Sequence, residues 1–303
     1  MTLQQLRYLI AIAEHGSISA AAHELFISQS SLSVAVKDVE SEYGVQIFQR
    51  SNKGITLTND GIEFLGYARQ IIEQANLMDQ RYATGNDELV KRLTITTQHY
   101  AFSVEAFIAF IETQDADEYI FTLRETRTSE IIEDVREFRS DIGILYLDHF
   151  NERVLRNVFD DANLQFTSLF KSKPHVFVGE HHPLATRKIL RADDLSEYPR
   201  YSFEQGTSNS FFYSEEPLSS LPHKKKIHYS DRGTLSNLLT HHNGYTVSTG
   251  VLSSEMHTGI VSIPLDVDEE MNVGYILHKE RRPNKLVQGY IEALKQQINN
   301  YGI

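Results

Sequence analysis

Leu3, Leu6, Ile10 and Ala13 recur at helical spacing, so the chain opens with a helix that buries one face. Gly16 ends it. Ser17 or Ser19 caps a second short helix through Leu25, dense in alanine at Ala20, Ala21 and Ala22. After a tight break at Phe26-Ile27, Ser28 caps a third helix that runs to about Tyr43, with Gly44 as its stop. Short helices joined by a turn of about three residues between the second and third spell a helix-turn-helix. Gln46-Ile47-Phe48 and Ile55-Thr56-Leu57 then read as the arms of a two-stranded hairpin, or wing, around the polar tip Arg50-Ser51-Asn52-Lys53-Gly54. Thr58 caps a long helix to about residue 86. Its apolar positions, among them Phe64, Leu65, Ala68, Ile71, Ile72, Ala75, Leu77 and Met78, form a stripe wider than one neighbour needs. Such a stripe can pack on the preceding helices and on a second copy of itself. Thr84-Gly85-Asn86-Asp87 marks a linker.

From Leu93 the pattern changes to alternating strand and helix. Strands are expected at 93–97, 119–125, 141–147, 164–171, 174–179, 226–229, 245–249, 260–264 and 272–278. Helices fit at 101–113, 129–138, 152–162, 207–214, 232–242 and 285–300, the last with Val287, Tyr290, Ile291, Leu294 and Ile298 on one face. This alternation predicts βαβ units and a mostly parallel sheet. The sequence has no internal repeat of the solenoid kind and no low-complexity tract.

Composition narrows the chemistry. The 303 residues suit two or three folded units, and 41% hydrophobic with 23% charged residues is the balance of a soluble globular protein. There is no cysteine, which excludes disulfides, thiolate metal sites and a thiol redox switch, and sits easily with the cytoplasm. No apolar run is long enough to span a bilayer, and the opening residues lack the basic leader of a signal peptide, so no membrane partner is expected. The net charge of −12 opposes bulk attraction to nucleic acid. Residues 1–92 hold 8 Lys and Arg against 11 Asp and Glu, so the front is not basic either. DNA binding here must rest on the placement of a few groups.

Those groups lie at the start of the third helix. A recognition helix reads base edges with short polar side chains from its N-terminal half. Ser28, Gln29, Ser30, Ser31 and Ser33, with Lys37 further along, supply them, while Leu32, Ala35, Val36 and Val39 face inward. Gln29 suits a bidentate contact to adenine, and Arg50 and Lys53 on the wing suit phosphates. The plainer alternative is a helical bundle whose serines only cap a helix.

The residues Leu6-Arg7-Tyr8-Leu9, Ala13-Glu14-His15-Gly16-Ser17, Ala20-Ala21-Ala22, Leu25, Ser28-Gln29-Ser30-Ser31-Leu32-Ser33, Glu40, Gly44-Val45-Gln46-Ile47-Phe48-Gln49-Arg50 and Leu57-Thr58-Asn59-Asp60-Gly61 decide between these readings. At this spacing the chain resembles the LysR-type bacterial transcriptional regulators. It departs mildly at Asp60, where a small residue is usual, and in a wing with fewer basic residues than many members have. Downstream, His181-His182-Pro183-Leu184-Ala185 and Asn243-Gly244-Tyr245-Thr246-Val247-Ser248 continue the likeness more loosely.

The resemblance implies an α/β architecture: an N-terminal winged helix-turn-helix (1–58), a long linker and dimerisation helix (59–90), and a two-lobed, periplasmic-binding-protein-like sensor domain (91–303). Lobe I would take about 91–165 and 266–303, and lobe II about 166–265, with crossings near Phe166–Phe170 and Pro264–Asp268. It also implies a homo-oligomer, a dimer through the linker helix and a tetramer built as a dimer of dimers. The implied partners are double-stranded promoter or operator DNA and a small-molecule effector, with RNA polymerase a further candidate. The segment from Asp148 to Ser168 is longer than the family leads one to expect and holds an extra helix, Val154 to Ala162.

Effector-contacting positions follow from the resemblance together with the rule that open α/β sheets bind ligands where strand ends meet helix starts. They are Thr97, Gln98, His99 and Tyr100 after the first strand, Arg127 and Thr128, then Ser202, Glu204 and Thr207, and finally Thr249. His99 and Arg127 would add positive charge for an anionic effector, whereas Thr128 and Thr207 equally fit as helix caps. No metal, cofactor or catalytic residue is expected. The paired histidines His181-His182 and His241-His242 are adjacent and point apart, and no nucleophile elbow, P-loop or dinucleotide fingerprint is present. An α/β enzyme or solute-binding protein with a helical appendage is the rival from another class.

Overall fold

The computed structural model describes residues 1–51, 54–82, 90–116, 118–206, 210–221, 223–253 and 256–302. The chain divides into two units, Met1–Leu89 and Val90–Ile303.

In the first unit α1 (Leu3–His15), α2 (Ile18–Glu24) and α3 (Gln29–Tyr43) pack around Leu6, Leu9, Ile12, Ala21, Leu32, Val36 and Val39. Each begins at a side-chain cap: Thr2, Ser17 and Ser28 accept the backbone N–H of Gln5, Ala20 and Ser31. The hairpin β1 (Phe48–Ser51) and β2 (Gly54–Leu57) follows. Glu40 of α3 accepts the N–H groups of Ile47 (2.8 Å) and Phe48 (3.1 Å), which fixes the wing to the third helix. Thr58 caps α4 (Asn59–Tyr82) by accepting the N–H of Gly61 at 2.8 Å. A Cβ on Gly61 would stand 2.1 Å from the Ile47 carbonyl oxygen, so only glycine lets this helix start so close to the wing. Leu65 and Ala68 of α4 are buried in the same core, while Ile62, Tyr67, Ile71 and Met78 are exposed. The expected linker at Thr84–Asp87 lies outside the described residues.

The second unit holds two lobes of the same design. The lobe I sheet runs β4 (Tyr119–Glu125), β3 (Lys91–Thr97), β5 (Ile142–Leu147), β12 (Met271–His278), β6 (Leu164–Ser172). β4, β3 and β5 are parallel, whereas β12 is antiparallel to both β5 and β6. α5 (Ala101–Glu112) and α9 (Lys285–Asn300) cover one face, and α6 (Thr128–Arg136) and α7 (Glu152–Asp161) cover the other. β5 is therefore buried along its whole length, which explains its unbroken apolar run.

In lobe II, β7 (His175–Gly179) lies between β10 (Thr246–Ser248) and β11 (Ile260–Pro264), antiparallel to both. β8 (Arg200–Phe203) and β9 (Lys226–Tyr229) form a parallel pair joined to that sheet by the bridge Arg200 to Tyr245. The order β9-β8-β10-β7-β11 thus repeats the pattern of lobe I, with α8 (Arg232–His241) packed on β7.

Several expectations are corrected. The sheets are mixed rather than mostly parallel, because in each lobe the strand next to a crossing, β12 or β7, runs antiparallel to its neighbours. β6 stays paired with β12 through Ser172, so the first crossing falls at Lys173-Pro174, past Phe166–Phe170. The strand β8 was not expected; its single apolar alternation, Tyr201 and Phe203, is too short to stand out. In place of a helix over 207–214 there is a 3₁₀ turn at Phe211–Tyr213, with 207–209 outside the described residues. The extra helix after Asp148 is α7, seated through Leu155 and Phe159.

Candidate functional site

Two surfaces carry chemistry, one in each unit. On α3 the polar residues separate by role. Ser28 is the cap, and its hydroxyl also contacts those of Ser30 (2.8 Å) and Ser31 (2.7 Å). Among the described residues, the side chains of Gln29, Ser33 and Lys37 take part in no hydrogen bond or ion pair, and Gln29 and Lys37 are exposed. Together with Ser30 they share one helix face, opposite Leu32, Ala35 and Val39. Val34, 55% exposed on that face, was not singled out from the sequence because valine there reads as core. Phe26, in the turn before α3, is 94% exposed at φ 55°. Arg50 lies on β1, Ser51 ends that strand, and Lys53 lies outside the described residues.

In the second unit the sequence-derived positions mostly turn inward. Thr97, Gln98, Thr128 and Thr249 are buried. Gln98 donates to Thr128 (2.6 Å) and accepts from Tyr100 (2.9 Å) and the Tyr146 N–H (3.1 Å), so it ties the end of β3 to α6 and β5. Thr128 is thus a partner of Gln98, and Arg127 occupies the cap position of α6. Thr97 donates to the Gln98 carbonyl, and Thr249 accepts the N–H of Val251. Ser202 lies on the far side of β8, in a separate hollow with Arg200, His223, Lys226 and His228. Thr207 lies outside the described residues.

Three ion pairs span the lobes among the described residues. Buried His99 meets buried Glu215 (Nδ1 to Oε2, 2.9 Å), and Glu215 also accepts the His99 N–H at 3.1 Å. The His99 ring stacks on Phe203 with centroids 3.7 Å apart. Arg127 reaches Glu204 at 2.5 Å and Glu130 at 3.3 Å. Glu125 meets Arg232 at 2.7 Å. The two residues expected to offer positive charge, His99 and Arg127, each meet a carboxylate from the other lobe.

Behind His99 and Tyr100 opens a pocket. Phe177, Phe203, Leu235, Leu239, Met256 and Ile260 give it an apolar lining, and Glu215, Glu216, Tyr229 and Arg232 give it polar points. Glu216 is buried, accepting from the Phe203 N–H (2.8 Å) and the Ser214 hydroxyl (3.1 Å). Burial, then the charge of Glu215, pushes its carboxyl up to about 7. Burial, aided by the nearby carboxylates, also holds the Tyr100 and Tyr229 phenols well above their usual range. His257, another wall residue, is pushed down by burial. Glu215, Glu216 and Tyr229 were missed in the sequence. Ser214-Glu215-Glu216-Pro217 carries no motif and reads as a solvated acidic turn, yet all four residues are buried. Among the described residues no group of three or more His, Asp or Glu side chains is placed to hold a metal ion.

Comparison with known proteins places both units. Residues 3–62 match the family model of the bacterial regulatory helix-turn-helix proteins of the lysR family, and residues 118–299 match the LysR substrate binding domain. The regulator ClcR of Pseudomonas putida is 43% identical over 72 residues, 24% of each chain, so that match spans only a quarter of ClcR. The regulator YvbU of Bacillus subtilis is 25% identical over 218 residues, 70% of this chain and 69% of YvbU. Among solved structures, full-length CbnR with its target DNA gives a TM-score of 0.56 at 18% identity, covering 98% of this chain and 100% of CbnR. A full-length OxyR variant from Pseudomonas aeruginosa gives 0.52 at 20% identity, covering 97% of this chain and 99% of OxyR. At these identities the structural likenesses speak to fold. No helix among the described residues is long and apolar enough to cross a membrane.

Proposed function

The chain belongs to the LysR family of bacterial helix-turn-helix regulators, DNA-binding transcriptional regulators rather than enzymes, and from that membership we propose which of its residues read DNA and which receive the effector. Gln29, Ser30, Ser33 and Lys37 face the major groove, with Val34 placed for a thymine methyl and Arg50 and Lys53 on phosphates. The carrying observation is that Gln29, Ser33 and Lys37 have no intramolecular partner among the described residues, while the caps of the same helix do. Residues 1–58 form the DNA-binding domain, 59–90 the linker helix and 91–303 the effector domain.

The small molecule enters the pocket behind His99 and Tyr100, whose wall joins residues of both lobes. The exposed stripe Ile62, Tyr67, Ile71 and Met78 on α4 pairs with a second copy, so that two recognition helices address half-sites about 34 Å apart or a multiple of it. Tetramer assembly, contact with RNA polymerase and a cytoplasmic location extend this reading from the family. The effector acts by binding one arrangement of the oligomer better than another. The test is affinity for selected DNA with and without Gln29→Ala. A loss confined to specific DNA, with unchanged thermal stability, is expected. Unchanged specific affinity removes α3 as the reading face.

A further inference from the structure

Resting on the pocket just assigned, the charges in its wall narrow what it holds. We infer that the pocket takes a protonated amine with a compact apolar body, its ammonium group received by the Glu215 and Glu216 carboxylates beside Tyr229.

Both carboxylates are buried, at 7% and 3% exposure. Glu215 is matched by His99, but Glu216 receives only a backbone N–H and a serine hydroxyl. The nearby guanidinium of Arg200 gives its two Nη groups to the carbonyls of Pro217 and Leu218 and to His223, so it acts on Glu216 only from a distance, without an ion pair. A buried carboxyl without an ion pair is costly in its charged form, and an arriving cation removes that cost. The Tyr229 hydroxyl, buried beside them with Thr246 its nearest polar neighbour, lines the same pocket. Phe203 and Tyr229 stand edge to face with centroids 4.3 Å apart, and aromatic faces also favour a cation. Arg232, the guanidinium in the wall, already faces a carboxylate, Glu125, through its Nε. Beyond the polar end, Phe177, Leu235, Leu239, Met256 and Ile260 suit a short aromatic or aliphatic body.

Glu216 is faced by Tyr100 and Tyr146 from lobe I and by Glu215, Arg200 and Tyr229 from lobe II, with His99 against Glu215. The tyrosines stay neutral. Protonation of Glu216 therefore weakens amine binding as pH falls.

The experiment is calorimetric and thermal-shift titration of the full-length protein with phenethylamine, with 3-phenylpropionate as the anion of the same shape. Phenethylamine is expected to bind and raise Tm, and 3-phenylpropionate to do neither. Amine affinity should fall about tenfold from pH 8 to pH 6, as a carboxyl titrating near 7 requires. It should fall about tenfold or more in Glu216→Gln, which keeps the shape of the side chain. Ser236→Phe, which fills the pocket from α8, should abolish binding. Preferred binding of 3-phenylpropionate that Ser236→Phe removes would overturn the amine while leaving the pocket in place. Amine binding untouched by Ser236→Phe and Glu216→Gln would overturn both. Binding of neither probe would overturn the amine.

Discussion

On α3, Ser28 and Ser31 are consumed by the cap, while Gln29, Ser33 and Lys37 point away from the core with nothing among the described residues to hold them. In the cleft the same residue types are used the other way. Thr97, Gln98, Thr128 and Thr249 are locked into internal hydrogen bonds, and the groups left facing the pocket are carboxylates and aromatic rings. A rigid duplex can be read by side chains that wait in water, because the helix beneath them needs only its cap and its buried face. A small ligand must be surrounded, so its site is cut from the interior, where most polar groups are first bound to another. The groups to examine are therefore those without partners on the surface and those with unmatched charge inside.

Glu215→Ala should cause the largest change, because it leaves His99 buried without its charge partner and removes a contact between the lobes. We expect a loss of about 3 kcal/mol in the urea unfolding of the sensor domain, with the DNA-binding unit unaffected. Next comes Glu216→Gln. A carboxyl raised to about 7 in the folded state binds its proton more tightly there than in the unfolded chain. Its stability contribution is thus present at low pH and is lost as pH rises from about 4.5 towards 7. Glutamine never ionises, so the variant should be more stable than the wild type by about 3 kcal/mol at pH 8. The two should converge near pH 4. Equal stability at both pH values would mean that Glu216 is not held neutral.

Gln29→Ala should cost about 1–3 kcal/mol of specific DNA affinity, read by fluorescence anisotropy, and leave Tm unchanged. Lys37→Ala should weaken all sequences alike and reduce the salt slope by about 1. Ser28→Ala should do the reverse of Gln29→Ala, lowering stability by about 1 kcal/mol through the lost cap. Arg127→Ala should be the smallest, under about 1 kcal/mol, since its pair with Glu204 is largely exposed. If Ser28→Ala and Gln29→Ala gave the same pattern, the division between holding and reading residues would fail.

The first unit was legible in the sequence because its determinants are local. Caps at Ser17 and Ser28, stops at Gly16 and Gly44, and the buried spacing of Leu32, Ala35, Val36 and Val39 are set within a few residues of one another. Most strands and helices of the sensor domain were legible for the same reason, and the end of β3 brings His99 and Tyr100 to the pocket wall. Strand direction was not, because alternation reports which elements exist and says nothing of the crossings that bring β7 and β12 in antiparallel. The charge of the pocket was hidden too. His99 and Arg127 carry their sign in the sequence, but Glu215 and Glu204, which cancel it, lie 116 and 77 residues away. Nothing in Ser214-Glu215-Glu216-Pro217 announces burial.

The most direct measurement is selection of DNA fragments from the genome that encodes this chain, bound by the purified full-length protein at physiological salt. Recovery is then compared with that of the Gln29→Ala protein. The account predicts a small set of fragments sharing paired half-sites, bound about 10³-fold or more tighter than scrambled duplex, and recovered about tenfold or more less well with Gln29→Ala. Fragments no more enriched than random DNA, with and without extract of the cells as a source of effector, would contradict it.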